Sequence, residues 1–152
     1  SKLNIIASTV TVSGDLRFLT EGQKDSTRQR MRDIATRDNL AGTSAEIAFA
    51  DEYPAMAPTT ANLAVLAVYD SASRALGYGP VAALDPGRRG AGDISFVAPM
   101  ITGLDGLGAM GSGSHTPAER VNLAMLPMQT ERAAILMYRL LNARPATVGA
   151  AR

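Results

Sequence analysis

The chain reads as an α/β protein, and three observations carry that reading. Strand-like alternation lies on both sides of one capped helical stretch between residues 3 and 50. A second helical stretch, 61–76, is apolar nearly all round, as a helix sandwiched between a sheet and another element would be. Two short apolar runs, 94–97 and 100–104, have the length of buried strands.

Taken in order, residues 3–18 alternate and are rich in β-branched side chains: Ile5, Ile6, Thr9, Val10, Thr11 and Val12. They suit one long strand, or a strand with a bulge near Ser13-Gly14. Thr20 offers an N-cap and Gln23, three residues on, completes a capping box. The helix that follows, 21–37, is expected to bury Met31, Ile34 and Ala35 and to leave Arg28, Arg30 and Arg32 on a solvated face. Residues 39–44 break the pattern, and 45–50 alternate again as a second strand, with Ile47 and Phe49 to one side. Pro54 and Pro58 make 53–58 an extended crossing. A domain boundary is placed there, giving residues 1–57 and 58–152. Thr59 or Thr60 caps the apolar helix, and Gly77-Tyr78-Gly79-Pro80 stops it. The last helix, about 123–141, carries Ile135, Leu136, Met137, Leu140 and Leu141, with Pro127 in its first turns; residues 145–152 are expected to fray.

Composition excludes several classes. A net charge of +1 gives no electrostatic case for nucleic acid or an anionic membrane. No apolar run reaches the roughly 18–20 residues of a membrane span. Without cysteine there are no disulfides and no thiol catalysis, which leaves the compartment open for a chain expected to be soluble. The start, Ser-Lys-Leu-Asn, reads like the middle of a longer chain.

The chemistry-bearing residues gather in a glycine-rich passage, 85–123, which holds the single histidine. His115 lies between Gly113-Ser114 and Thr116-Pro117, and the proline stiffens one side of the turn. Read from residue types alone, a lone histidine in such a loop is a solvated loop residue. A zinc site needs several ligands, and the chain has no cysteine and no second histidine. Neither the P-loop nor the dinucleotide-binding glycine pattern is present.

The segments Arg89-Gly90-Ala91-Gly92-Asp93-Ile94 and Gly113-Ser114-His115-Thr116-Pro117-Ala118-Glu119, followed by Val-Asn-Leu-Ala-Met-Leu and a long apolar helix, resemble the C-terminal end of a two-zinc hydrolase family. That family holds glutamate carboxypeptidases, aminoacylases, acetylornithine and succinyl-diaminopimelate deacylases and dipeptidases. The resemblance implies half of an α/β lid domain over 1–57. Over 58–152 it implies the last part of a zinc-exopeptidase-like catalytic domain, a mixed sheet with flanking helices. It makes His115 one ligand of one of two zinc ions, with Glu119 and Asp105 as carboxylates behind the metal. Asn4 and Arg17 would contact the substrate, the arginine through a carboxylate, for which a guanidinium fork offers two donors. The other reading of Arg17 is a pairing with Asp15. Arg89, Gly90, Gly92 and Asp93 would border the same substrate, a peptide or N-acyl amino acid.

Two departures qualify the match. Ala7 stands where relatives carry proline, and Asp51-Glu52-Tyr53-Pro54 replaces a basic segment of the glutamate-releasing members, so the substrate stays open. The other zinc ligands and the general base would lie upstream, in a missing N-terminal half. This chain alone is therefore expected to be inactive, with no catalytic residue of its own. A homodimer through exposed lid strands is a further expectation. The competing class is a non-catalytic binding or dimerisation module of the same fold.

Overall fold

Helix α1 (Glu21–Arg37) is started by reciprocal hydrogen bonds and not by apolar packing. The structure, a computed structural model, describes residues 6–37, 39–88 and 90–143 and divides into two units, Ser1–Asp51 and Glu52–Arg152. The described residues form three α-helices and one two-stranded antiparallel sheet. They are mostly helical, which overturns the expected mixed sheet with flanking helices and the expected α/β lid half.

In the first unit the capping box forms. Thr20 Oγ1 accepts from the Gln23 N–H at 3.2 Å, and Gln23 Oε1 accepts from the N–H groups of Thr20 and Leu19 at 3.3 and 2.9 Å. No residue of α1 is fully buried, and Ile34, expected inside, is exposed. The inner face belongs to cations instead. The Arg28 side chain is only 13% exposed; it meets the Asp51 carboxylate at 2.8 Å and lies 4.9 Å from the Phe49 ring centroid. Arg32 covers the same ring at 5.1 Å. Two guanidiniums close to one aromatic ring take the place of an aliphatic core, because their planar, weakly hydrated heads tolerate contact with a ring.

The strands expected over 3–18 and 45–50 are not formed. Residues 3–5 lie outside the described residues, and 6–18 pair with no neighbour among them, leaving Ile6, Val10 and Val12 exposed. Alternation selects a face, but a strand also needs a partner for its N–H and C=O groups, and no described segment supplies one. The strands through which a homodimer is expected to pair are accordingly absent from the described residues.

In the second unit α2 (Thr60–Ala75) begins at Thr59, whose Oγ1 accepts from the Asn62 N–H at 3.1 Å. It ends in a Schellman motif, with the Tyr78 N–H to the Ser73 carbonyl and the Gly77 N–H to the Arg74 carbonyl, both 3.0 Å. Gly77 takes the left-handed position (φ 79°) that this motif requires. The 94–97 and 100–104 runs are not strands. Residues Asp93–Phe96 form a 3-10 turn, and bonds such as Val97 N–H to Ile94 C=O and Ile101 N–H to Val97 C=O carry the coiling on. Local hydrogen bonds win here because they need no distant partner.

Helix α3 (Leu126–Asn142) follows a 3-10 turn at Leu123–Met125, with Pro127 in its first turn, where a missing N–H costs nothing. It packs on α2, not on a sheet. Tyr69, Ala72 and Ser73 of α2 are buried with Gln129, Arg132 and Leu136 of α3. Leu63, Met137, Leu140 and Leu141 remain exposed.

Arg132, buried in this contact, donates from Nε to Ser73 Oγ (2.9 Å), from Nη1 to Gln129 Oε1 (2.9 Å) and from Nη2 to the Tyr78 carbonyl (3.1 Å). Gln129 in turn donates to the Gly108 carbonyl at 2.9 Å. The whole chain exposes 12492 Å². A folded monomer of this length exposes about 7,400 Å², and two separate globules of the two unit sizes roughly 9,000 Å².

Replacing Arg132 by Ala strands three acceptors in the α2–α3 contact and is expected to cost about 2–4 kcal/mol, read as a lowered urea midpoint. A midpoint within error of the parent would show that the network holds nothing. The first unit should respond to pH at both ends of the scale. Hydrogen bonding to Arg28, with the charges of Arg28 and Lys24, lowers the Asp51 pKa. Its contribution is full above the ordinary aspartate value and is lost as pH falls through the lowered one. The hydrogen bond to Glu21, with the Asp51 and Glu21 charges, raises the Lys24 pKa. That contribution is full below the ordinary lysine value and is lost as pH rises through the raised one. Amide protection factors in α1, relative to the intrinsic exchange rate at each pH, should therefore be flat across neutral pH and fall at both extremes; a step centred near neutrality would contradict this.

Candidate functional site

The one β-ladder of the described residues is a hairpin that presents His115. Strand β1 (Gly111–Ser112) pairs with β2 (Arg120–Val121), Gly111 opposite Val121 and Ser112 opposite Arg120. The Asn122 N–H to Met110 C=O bond (2.8 Å) extends the ladder by one rung. Two turns in series make the tip. The Thr116 N–H closes the first on the Gly113 carbonyl at 3.1 Å, and the Glu119 N–H closes the second on the Thr116 carbonyl at 3.0 Å, with Pro117 at the position that suits its fixed φ. The Thr116 hydroxyl also donates to the Gly113 carbonyl (2.7 Å) and accepts from the Ala118 N–H (3.2 Å).

His115 occupies the third position of the first turn with φ 64°, where glycine or asparagine is the usual occupant. It is the non-glycine residue with positive φ among those described. An L-side chain in that region costs roughly 1–2 kcal/mol, so the sequence holds an imidazole where a glycine would fit more easily. Its whole loop is exposed. Two glycines make the geometry possible. A methyl group at Gly111 would overlap the Arg120 carbonyl oxygen, and one at Gly113 (φ 72°) would stand 2.9 Å from the Ala118 carbonyl oxygen.

The remaining expected site residues fall into several places. Gly92, Asp93 and Asp105 come together: a methyl group at Gly92 would overlap the Asp105 carboxylate, so glycine is what lets those segments touch. Asp93 Oδ1 accepts from the Tyr53 hydroxyl at 3.2 Å, and this bond, with the Asp93 charge, raises the tyrosine pKa. The Tyr53 ring leans on Phe96, centroids 5.2 Å apart. Asp105 Oδ1 accepts from the Gly106 N–H at 2.7 Å. Ser95, buried beside Asp93 in the chain, has a hydroxyl without a partner among the described residues. Gly90 is exposed, with open space around it. Arg17 belongs to the first unit, where it is largely exposed and pairs with Asp15 at 3.7 Å. Asn4 and Arg89 lie outside the described residues.

Glu119 closes the hairpin loop just before β2 and does not start a helix; that place belongs to Asn122, whose Oδ1 accepts from the Ala124 N–H at 3.1 Å. Among the described residues no group of three or more His, Cys, Asp or Glu side chains converges as a metal site. Nor is any helix among them long and apolar enough to cross a membrane.

Sequence reading missed three features. Tyr53 read as linker, and its bond to Asp93 spans forty positions, which no local pattern announces. Arg132 was not singled out within the last helix. A hollow of about 530 Å³ against the hairpin, bordered by Met110, Arg120, Asn122, Leu123 and Met125, was likewise invisible. No family model, no curated protein and no solved structure matches the chain.

Gly113→Ala should open the hairpin, read as loss of the cross-strand Hα contacts between residues 111 and 121. His115→Gly should keep those contacts and hold or slightly raise stability, by about 1 kcal/mol at most. A hairpin that survives Gly113→Ala unchanged would refute the geometry.

Proposed function

We propose that this chain is part of a zinc-dependent amide hydrolase of the metallo-carboxypeptidase or N-acyl-amino-acid deacylase type, cleaving an amide bond next to a carboxylate. The observation that supports this reading is the strained His115, an exposed imidazole kept at the tip of a hairpin built around it. A residue maintained in an unfavourable backbone region argues for a task that a glycine could not perform.

One imidazole fits the part of a single zinc ligand and not of a whole site. The other ligands and the general base are assigned to polypeptide beyond residues 1–152. Two zinc ions would supply a polarised water that is a nucleophile at neutral pH. The residues of this chain hold and orient. His115 offers the lone pair of a neutral ring nitrogen, and the second nitrogen donates to an acceptor that fixes the tautomer. Glu119, in the same loop, and Asp105 are the carboxylates proposed for that role. Gly90, Gly92 and Asp93 are proposed to border the substrate, a peptide or N-acyl amino acid.

The test is metal content and activity of the complete enzyme. His115→Ala should lose one zinc and most activity while folding normally, since the exposed imidazole packs against no core. In the 152-residue chain alone, wild type and His115→Ala should titrate alike with zinc, because one ligand holds the ion only weakly. Full activity of the variant with both zinc ions bound would show that His115 is a solvated loop residue and not a ligand. Tight zinc uptake by the isolated chain, lost on His115→Ala, would show that the site is complete within it and overturn the partial reading.

A further inference from the structure

Helix α3 buries Gln129, Arg132 and Leu136 against α2 and turns a second stripe outward. Leu126, Thr130, Ala133, Ala134, Met137 and Leu141 recur every three or four positions, so they share one side of the helix. None of them carries a charge. Leu126 is 38% exposed, Met137 58% and Leu141 85%. The stripe has a small half and a large half. Thr130, Ala133 and Ala134 line a hollow of about 300 Å³ together with Leu107 and Ala109. Leu141, eight residues beyond Ala133, projects about 12 Å further along the axis, at a rise of about 1.5 Å per residue. Met137 lies midway between the two.

We infer that α3 pairs antiparallel with α3 of a second copy of this chain, about a two-fold axis at Met137, so that Leu141 of each chain seats in the Ala133–Ala134 hollow of the other. Three points favour a second copy over any other occupant. A two-fold contact is isologous, so one axis midway between knob and hollow fills both hollows at once. A foreign partner would have to bring its own knob and hollow at the same spacing. The stripe is uncharged, as the centre of a homodimer interface is, and its small residues let two helix axes approach to about 8–10 Å. Finally, the 12492 Å² that the chain exposes exceeds the roughly 9,000 Å² of two separate globules by about 3,500 Å². A protomer of an obligate dimer gives up about 1,000–2,500 Å², so the surface a stable dimer needs is available. This face takes the place of the lid strands, which are absent from the described residues, and it does not depend on the zinc reading.

The test uses the 152-residue chain without metal. Sedimentation equilibrium from low micromolar to submillimolar protein should report a two-chain mass. Leu141→Glu removes the knob and Ala134→Glu puts an unpaired charge in the hollow, so each should weaken association at least about tenfold. Both positions are exposed in the single chain, and unchanged helical circular dichroism confirms that the variants fold. The chain has no cysteine, so Met137→Cys creates a single thiol on the proposed axis. Diamide should then join two chains through it, and should not join chains carrying Arg30→Cys on α1. Should a glutamate variant lose its helix, the cross-link decides. A single-chain mass at every concentration overturns the inference and leaves the stripe to another polypeptide or an apolar small molecule. It is overturned equally by a dimer that both folded glutamate variants leave intact, or by Met137→Cys joining chains no faster than Arg30→Cys. None of these results touches the zinc reading, which is judged by metal content.

Discussion

A single buried guanidinium ties the second unit together. Arg132 reaches from α3 into the C-terminal cap of α2, where Ser73 and Tyr78 are also the residues that close the Schellman motif. The Ser73 hydroxyl donates onward to the Gly79 carbonyl at 2.6 Å, and Gln129 binds the Gly108 carbonyl just before the hairpin. One side chain therefore couples a helix end, a second helix and the segment leading to β1. Its three acceptors are neutral oxygens, which spread the charge without a carboxylate in direct contact. A buried cation is tolerable only while every partner stays in place, so the network fixes geometry more than it adds stability.

The hairpin works by the opposite means. Its loop buries nothing and owes its form to backbone: two turns, two glycines without room for a Cβ, and one proline. Such a device can carry an exposed side chain without help from a core. Its root sits between Gly108, held by Gln129, and the turn at Leu123–Met125 that leads into α3. Orientation at the tip is thus inherited from α3 through two short links. The proposed substrate residues around Gly92, Asp93 and Asp105 are organised separately, by close approach of backbone to carboxylate.

What was legible in the sequence was what is decided locally. The capping box at Thr20 and Gln23, the Thr59 cap and the glycine stop at Gly77 all act within a few residues, and each forms. The strands were not legible in the same sense. Alternation over 6–18 and 45–50 states which faces would be apolar, but ladder formation depends on a neighbour elsewhere, and 94–101 coils on its own local bonds instead. Charged residues misled for a related reason. Arg28 read as solvated and Arg132 drew no reading, yet one lies over Phe49 and the other in the α2–α3 contact, because a guanidinium can be buried when rings or oxygens receive it. At the site, the glycines around His115 were visible, whereas its left-handed backbone was not, since only a small minority of histidines take positive φ.

The large accessible area of the folded chain has a consequence for how it comes apart. Denaturant sensitivity and the heat capacity of unfolding both scale with the surface newly exposed. An unfolded chain of this mass exposes about 23,000 Å², so a chain that already exposes 12492 Å² has less to uncover than a compact fold of its length. Its unfolding should be broad in urea and shallow in temperature, with a ΔCp below the ordinary 12–15 cal/mol/K per residue or so. Helix α1 rests on caps and ion pairs, and α3 on a small contact of Tyr69, Ala72 and Leu136 around Arg132. Gradual loss of order, and not a sharp transition, is the thermodynamic signature of so thin an interior.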